Sequence, residues 1–237
     1  MIDASCPVDR VRMRDGTRFT VDDTVDLDGM LAQKAREMGQ PLPRTFFTRK
    51  TLDVARDLVG MHLVRVERGC RRIGRIVETE AYQGPEDLAA HSARGRTPRN
   101  SVMFGPPGYA YVYFIYGVWH CVNVVTQAEG IPHAVLIRAL EPVEGIREKT
   151  WGPGLLCRAL RIDRNLNGAD LRGNMLRIER PANRAGRSVR IGRAARIGVS
   201  YAGAWAKRPW RFFDRDSPYV STVSASIRTS AGLTARA

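Results

Sequence analysis

One acidic residue occupies a setting that favours acid–base chemistry. Glu80 lies in Arg75–Tyr82, where the alternation of residues predicts a β-strand. A carboxylate held in mid-strand among apolar neighbours loses hydration, which raises its pKa and suits it to act as a general base. The alternative is an ordinary ion pair with one of the many arginines. The alternation assigns one strand face to Ile76, Glu78, Glu80 and Tyr82 and the other to Val77, Thr79 and Ala81.

A dense group of aromatic residues follows. Ala110–Ile115 and Val118–Val125 are rich in aromatic and β-branched residues, so they predict a β-hairpin with Tyr116 at its tip. An aromatic residue at a tip is exposed, and exposed aromatics on basic proteins stack on nucleic-acid bases. Core packing is the alternative for the rest of the group. Its six members are Tyr109, Tyr111, Tyr113, Phe114, Tyr116 and Trp119.

A histidine and a basic loop form a third candidate group. His91 is followed closely by Arg96, Thr97, Arg99 and Asn100. The paired N–H donors of arginine match the geometry of phosphate oxygens, so the loop is a candidate phosphate-binding segment. The alternatives are a structural histidine and a solvated basic loop.

The elements that must position these residues are short and mixed. Leu52–Val59 has helical spacing with Gly60 as a stop, and Leu155–Leu160 predicts a helix entered through Gly152-Pro153-Gly154. Together with the hairpin and Arg75–Tyr82, the remaining strands make this an α+β domain on a largely antiparallel sheet. Those strands are Met61–Val66, Ala134–Leu140, Met175–Glu179 and Arg196–Val199.

The chain length fits one domain with extensions at both ends. The 237 residues have a mass of 26.5 kDa, against about 150 residues for a typical domain. Residues 1–44 are charged and mixed, so we expect a partly disordered N-terminal extension in which Leu27–Met38 could form a short helix. Residues 45–221 form the predicted domain. Residues 222–237 are rich in Ser, Thr and Ala and form a tail that frays.

The charge balance indicates a polyanionic partner. Lysine and arginine number 38 against 24 acidic residues, which gives a formal net charge of +14. Nucleic acid is the first candidate, and an arginine-rich composition is the alternative, because only four of the 38 basic residues are lysine. A series in which arginine recurs every third residue, from Arg184 to Arg196, fits neither a strand face nor a helix stripe. We interpret it as a solvated basic segment.

Several classes of protein are excluded or disfavoured. The chain has no apolar run near the ~20 residues that span a bilayer and no signal-peptide pattern, so we expect a cytoplasmic protein with no membrane partner. Its four cysteines are far apart, which disfavours a zinc or redox site and favours free thiols. The chain has no Walker loop, no Rossmann fingerprint and no zinc-deaminase signature. We therefore expect no metal and no cofactor.

The order and spacing of the motifs resemble one family. From about Phe46 to Ser221 the chain resembles the alkyladenine (3-methyladenine) DNA glycosylase family, the kind typified by the mammalian enzyme. One departure is Leu155, where that family usually has lysine. The motifs are Ile76–Tyr82, Gly84–Asp87, Ala90–Ser92, Arg96–Asn100, Tyr111–Gly117, Cys121–Asn123, Ile137–Pro142, Gly152–Gly154, Arg196–Val199, Tyr201–Gly203 and Trp205 with Pro209, Arg211 and Phe212.

The resemblance implies an activity and a fold. Members flip damaged purines out of duplex DNA through the minor groove and hydrolyse the N-glycosidic bond, since a glycosylase cannot reach its target atom while the base is stacked in the duplex. The implied substrates are alkylated and also deaminated or etheno purines. The implied fold is a curved, open barrel-like sheet with flanking helices and a protruding hairpin. We expect a monomer that is associated with the nucleoid when it binds DNA.

The resemblance also implies roles for individual residues. Glu80 matches the general base that activates water, and Arg138 and the carbonyl of Ile197 match groups that position this water. Tyr116 matches the wedge that fills the gap left by the flipped base. The implied walls of the base pocket are Tyr82, His91, Tyr113 and Asn123, and the implied DNA-backbone contacts are Arg96, Thr97, Arg99 and Asn100.

We expect a glycosylase without lyase activity. A glycosylase that also cleaves the strand needs an amine nucleophile, and none of the four lysines falls in a pocket motif.

Two hypotheses from other classes compete with a glycosylase. A non-catalytic nucleic-acid-binding module on the same scaffold is the main alternative, although Glu80, Arg138 and the pocket aromatics are all present. Acyl or formyl transfer lacks a matching nucleophile in this chain.

Overall fold

A long antiparallel sheet organises the chain. The computed structural model describes residues 39–182 and 189–221. The strands within these ranges are β1 (Gln40–Pro41), β2 (His62–Glu67), β3 (Cys70–Gln83), β4 (Ala110–Ile115), β5 (Trp119–Thr126), β6 (His133–Glu144), β7 (Leu176–Arg180), β8 (Ile191–Ala194) and β9 (Arg211–Asp214).

The sheet is open, with β3 at its centre. The strand order is β1-β7-β2-β3-β6-β5-β4, all neighbours are antiparallel, and β8 pairs with β9. Along one side of β3, β2 pairs with its first half and β9 pairs with Glu78–Glu80. Along the other side, β6 follows β3 for most of its length. The predicted α+β class with an open, largely antiparallel sheet is therefore confirmed.

In the described part of the chain, three short α-helices accompany the sheet. They are α1 (Arg44–Phe47), α2 (Thr51–Leu58) and α3 (Pro153–Ala159). The helix that the spacing over Leu52–Val59 predicted is present as α2, which buries Val54, Ala55 and Leu58 on the face toward the core. Helix α3 begins with a proline, whose fixed φ suits the first helical turn. Four 3₁₀ helices connect the other elements: His91–Arg94, Ser101–Phe104, Arg164–Leu166 and Ser200–Lys207.

The core includes a segment that the sequence placed in the N-terminal extension. Gln40 and Pro41 pair with β7, and Leu42 is buried in the main hydrophobic cluster. The chain thus joins the domain before residue 45. The helix expected over Leu27–Met38 and the expected tail over 222–237 lie outside the described residues.

The pairing of β3 with β6 has three register shifts, and two of them are β-bulges that lie side by side at Glu78. The register moves from Ile76 opposite Leu140 to Glu78 opposite Ala139, which leaves Val77 as an extra residue on β3. The next pair is Thr79 with Ile137, so residue 138 is extra on β6. A bulge breaks the strict alternation of faces and re-aims the side chains beside it. These two bulges lie next to the carboxylate that the sequence singled out.

The bulge at Val77 places the side chain of Ile76 on a different face of β3 from the one predicted. The side chain of Ile76 belongs to the main hydrophobic cluster together with Ala81. Glu78 instead shares a face with Glu80, and both carboxylates contact Arg138. The prediction that Ile76 lies on the same face as Glu80 is therefore wrong, because strict period-two counting does not allow for an extra residue.

The predicted hairpin is present and its turn is defined. Strands β4 and β5 pair from Ala110 with Val124 to Ile115 with Trp119. Tyr116 and Gly117 both have positive φ, and the N–H of Val118 donates to the carbonyl of Ile115 at 3.3 Å. This is the pattern of a type I′ turn, whose twist matches that of the flanking strands.

Two other expectations fail. Arg196–Val199 is an irregular loop rather than a strand, and the strand of this region is β8, five residues earlier. Cys121 and Cys157 are free and buried as expected, but Cys70 is disulfide-bonded, so the prediction of four free thiols is wrong.

Within residues 39–182 and 189–221, no helix is long and apolar enough to cross a membrane.

The close approach of β3 and β6 generates the first prediction. A Cβ on Gly74 would lie 2.7 Å from the fully buried Leu140, so Gly74→Ala forces these strands apart and should lower the free energy of unfolding by about 1–3 kcal/mol. Denaturant unfolding measures the change. Gly152→Ala is the matched control, since its nearest neighbour is 3.6 Å away. Equal stability of the two variants would contradict the packing argument.

Candidate active site

The Glu80 carboxylate is fully buried at the centre of the sheet. Its residue pairs with Leu136 on β6 and Arg211 on β9. The N–H of Ile197 donates to Oε1 at 2.7 Å, and the hydroxyl of Tyr82 donates to Oε2 at 2.7 Å. The Nη1 atom of Arg138 lies 3.4 Å from Oε1. Both carboxylate oxygens therefore have partners.

Burial decides the protonation behaviour of Glu80. Loss of hydration raises the pKa of this carboxyl above its ordinary value, while the Arg138 charge and the hydrogen bonds from Ile197 and Tyr82 oppose the rise. The net effect is that the pKa of the Glu80 carboxyl is raised, while hydrogen-bond donors remain in place for its ionised form. These are the properties expected of a general base.

A second carboxylate, Glu78, orients Arg138. The Nε atom of Arg138 donates to Glu78 Oε1 at 3.2 Å, and Arg211 Nη1 donates to the same oxygen at 2.9 Å. The backbone N–H of Ser221 donates to the other oxygen at 2.6 Å. Glu78 thereby holds one edge of the Arg138 guanidinium and leaves Nη1 beside Glu80. Sequence reasoning assigned Glu78 no role, although the alternation already placed it on the same face as Glu80.

The loop that carries Ile197 is fixed by the preceding arginine. The Arg196 side chain is fully buried and donates to Asp87 Oδ1 at 2.8 Å and to the carbonyl oxygens of Ala81 and Trp205 at 2.9 and 3.0 Å. Its guanidinium also lies 4.7 Å from the centroid of the Tyr82 ring. Arg196 thus contacts the Tyr82 ring and fixes the loop of Ile197, the two residues that donate hydrogen bonds to Glu80.

This position contradicts the interpretation of the arginine series as solvated. Arg196 is the buried exception, whereas Arg190 and Arg193 are exposed, with Arg190 paired to Asp216. The other two members, Arg184 and Arg187, lie outside the described residues. A period-three count gave no signal that one member enters the interior.

A cavity of about 480 Å³ opens in front of Glu80. All four predicted pocket residues line it, together with Arg138, Ile197 and Tyr116. Glu80 itself does not line the cavity, whereas Tyr82, Arg138 and Ile197, the three residues that contact its carboxylate, do. The predicted pocket residues are Tyr82, His91, Tyr113 and Asn123.

Aromatic contacts fix the far wall of the cavity. The His91 and Tyr113 rings meet edge to face with centroids 4.5 Å apart, and His91 Nδ1 lies 2.9 Å from the Tyr111 hydroxyl. Partial loss of hydration at the cavity wall and the nearby charge of Arg99 lower the pKa of His91 to about 4. His91 is therefore a neutral wall at physiological pH. The Asn123 amide donates to the Tyr111 carbonyl at 3.0 Å, which holds its side chain at the cavity.

Two exposed tyrosines border the mouth of the cavity. Tyr116 at the hairpin tip is 83% exposed, and Tyr201 is 71% exposed. Sequence reasoning found Tyr116 from its place in the turn but missed Tyr201. The only available signal for Tyr201 was its place in a resemblance motif, since the local pattern there predicts no regular element.

The predicted phosphate-binding loop divides into surface and internal residues. Arg96, Thr97 and Arg99 are exposed, and Arg99 lies 5.5 Å from the Tyr113 ring centroid. Asn100 is buried, where its amide donates to the carbonyls of His91 and Gly95 and its oxygen accepts from the N–H of Thr97. Asn100 therefore holds the loop in shape and presents nothing to a ligand outside it.

Metal-ion chemistry has no evident site here. Within residues 39–182 and 189–221, no three His, Cys, Asp or Glu side chains lie close enough together to hold a metal ion.

Comparison of the sequence with known proteins shows which family the chain belongs to. The family model for methylpurine-DNA glycosylase matches residues 45–218, which is well over half of the chain. The chain belongs to the methylpurine-DNA glycosylase family. The match covers every residue of the site described above except Ser221.

Individual relatives agree with the family model. A protein of Anaeromyxobacter dehalogenans strain 2CP-1 is 56% identical over 181 residues, which cover 76% of this chain and 85% of the relative. A protein of Legionella pneumophila strain Corby is 52% identical over 180 residues, covering 76% of this chain and 97% of the relative. Both are provisionally named 3-methyladenine DNA glycosylases.

The buried Arg196–Asp87 pair generates the second prediction. Arg196→Met leaves the Asp87 carboxylate buried without its cation, so the free energy of unfolding should fall by about 3–5 kcal/mol. Denaturant unfolding of the full chain measures it. Arg193→Met is the control, since that side chain is exposed, and its change should stay within about 0.5 kcal/mol. If Arg196→Met unfolds like the wild type, the pair does not hold this loop.

Proposed function

We propose that this chain is a monofunctional DNA glycosylase that removes alkylated purines from duplex DNA and leaves an abasic site. The observation that carries the proposal is a buried carboxylate with a raised pKa directly behind an aromatic cavity. A flipped purine fits such a cavity because its ring stacks on aromatic side chains. The family and the names of the relatives support the same activity.

The proposed reaction is a hydrolysis at the sugar C1′ atom. A water molecule in the cavity, near Arg138 and Ile197, attacks C1′, and the C1′–N bond breaks with its electron pair leaving on the purine. The proton of the water passes to Glu80. An alkylated purine is cationic before the reaction and leaves as a neutral base, so the step needs no proton donated to the leaving group. The Ile197 carbonyl as an acceptor for this water stays a prediction.

The cavity walls support a preference for cationic lesions. Burial raises the pKa values of Tyr82 and Tyr113 well above their ordinary value, and His91 titrates at about 4. These three walls are uncharged at neutral pH, so they stack on a cationic base without repelling it, and the neutral imidazole of His91 does not act as a general acid. Hypoxanthine and ethenoadenine are neutral and gain more from an acid, so we propose slower release of both. Asn123 lines the same cavity, and we propose that it crowds the exocyclic amine of guanine.

The DNA would approach with its minor groove over the cavity mouth. Tyr116 projects from a rigid turn and would fill the gap left by the flipped nucleotide. The exposed arginines of the basic loop, Arg96 and Arg99, would contact phosphates, and the net charge of +14 adds a sequence-independent attraction. None of Lys50, Lys149 and Lys207 lines the cavity, which supports hydrolysis without strand cleavage.

Single-turnover base release tests the proposal. Excess protein is mixed, in EDTA, with duplexes that each carry one 3-methyladenine, hypoxanthine or ethenoadenine, and mild alkali reveals abasic sites. We expect release without strand breaks before alkali, fastest for 3-methyladenine. Glu80→Gln keeps the shape of the side chain but cannot accept the proton, so release should slow by about two to four orders of magnitude.

The control for Glu80→Gln is Glu86→Gln, which changes an exposed carboxylate nearby and should leave release unchanged. Near-normal release by Glu80→Gln would overturn the role of Glu80. Binding of all three duplexes by the wild type without release from any would favour a non-catalytic binding module.

The raised pKa of Glu80 predicts the pH dependence. Glu80 must be ionised to accept a proton, so the release rate for a cationic lesion should fall as pH drops through a pKa above that of ordinary glutamate. Tyr82→Phe removes a hydrogen bond to the ionised form, which should move this acid limb to still higher pH. His91 titrates at about 4 and should add no inflection near pH 6.5.

Rate–pH profiles of the wild type and Tyr82→Phe measure both effects, with circular dichroism confirming that each protein stays folded across the range. An acid limb that moves to lower pH in Tyr82→Phe would contradict the proposed role of its hydroxyl.

A further inference from the structure

A second cavity lies directly beside the first. Its volume is about 460 Å³, and Trp119 and Gly154 line both cavities. The hairpin and the start of α3 therefore form the wall between them. Val118, which follows the hairpin tip, is 65% exposed on the side of the second cavity.

The position of the hairpin determines what faces each cavity. If Tyr116 fills the gap in the base stack, the strand that loses its base lies on the side of the first cavity. A wedge in the minor groove has one DNA strand on each side, so the undamaged strand must then lie on the side of the second cavity. This step rests on the proposed function.

The charges around the second cavity suit phosphate. Arg68 and Arg158 are exposed and line it, and within residues 39–182 and 189–221 neither forms an ion pair. The two carboxylates of the lining already have partners inside the protein. Glu67 lies 3.0 Å from Arg65 Nη2 and 3.4 Å from Arg161 Nη1, and Asp163 accepts from the N–H of Asn165 at 2.9 Å.

The structure also holds Arg158 in place. Its guanidinium lies 5.1 Å from the centroid of Trp119, a cation–π contact that joins α3 to the hairpin. Trp119 in turn lies so close to Gly154 that a Cβ there would be 2.7 Å from the indole ring. Arg68 is positioned by the turn between β2 and β3, where it and Gly69 both have positive φ. Arg158 thus extends from a helix and Arg68 from a short turn between two paired strands, so neither cation lies in a long loop.

We infer that the second cavity is a binding site for the phosphodiester backbone of the undamaged DNA strand, with Arg68 and Arg158 as its phosphate contacts. The site would hold the duplex against the hairpin while the damaged nucleotide occupies the first cavity. Such contacts position the protein on DNA and carry no sequence information. They also require a second strand, so they distinguish duplex from single-stranded DNA.

The first test is the salt dependence of binding. Wild type and Arg68→Gln/Arg158→Gln are titrated with a duplex that carries one stable abasic-site analogue, so that binding is measured without base release. Each lost phosphate contact should lower the slope of log K against log salt by about 0.9, and the double variant should lose up to two contacts. Arg68→Lys/Arg158→Lys should restore most of the slope. Arg180→Gln, on β7 beside the end of β2 that is away from the Arg68 turn, should leave it unchanged.

The second test identifies the strand. Neutral methylphosphonate linkages are placed either in the undamaged strand or in the damaged strand, near the lesion. Neutralising the undamaged strand should weaken wild-type binding but leave binding by the double glutamine variant nearly unchanged. Neutralising the damaged strand should weaken both proteins equally.

The proposed site would be wrong if both proteins lose equal affinity on both methylphosphonate substrates. It would also be wrong if the double glutamine variant keeps the salt slope of the wild type. If the wild type releases base from a lesion-containing duplex in the same buffer, that result would leave the proposed function intact. Absence of base release from every lesion would count against the proposed function instead.

Discussion

The burial of the Glu80 charge is the constraint on which the site depends. Removing a carboxylate from water costs several kcal/mol unless the protein replaces its lost hydration. The replacement here is divided among a tyrosine hydroxyl on the same strand, the N–H of Ile197 in a distant loop and the Arg138 guanidinium on the neighbouring strand. These donors only partly offset the loss of hydration, so the pKa stays raised and the carboxylate keeps its affinity for a proton.

Each donor to Glu80 is itself held by a buried partner. Glu78, Arg211 and the chain near Ser221 orient Arg138, and the Arg196–Asp87 pair fixes both the Ile197 loop and the back of the Tyr82 ring. The donors are therefore already in place around the Glu80 carboxylate. Electrostatic preorganisation requires such an arrangement, since the groups need no rearrangement during the reaction.

The arginines of this basic chain serve two separate purposes. Buried arginines such as Arg75, Arg138 and Arg196 are paired with carboxylates inside the fold and add little to the field outside it. Exposed arginines around the two cavities carry the charge that attracts a polyanion. The aromatic rings in the wall of the first cavity are uncharged, because loss of hydration keeps the two tyrosines protonated and the imidazole neutral, and Arg138 is the cation that lines this cavity beside them. Positive charge thus surrounds the cavity, while its aromatic walls repel no cationic base.

The sequence by itself determined the α+β class, most strands, both longer helices and the tip position of Tyr116, because these depend on local periodicity and turn chemistry. Ordered motifs also sufficed to indicate the family. Only the tertiary structure decided that Ile76 turns into the core, that Arg138 occupies a bulge, that Arg196 is buried and that Asn100 braces its own loop. The physical reason is that a bulge and a buried ion pair depend on a partner strand or loop far away in sequence, whereas periodicity records only the near neighbours of a residue.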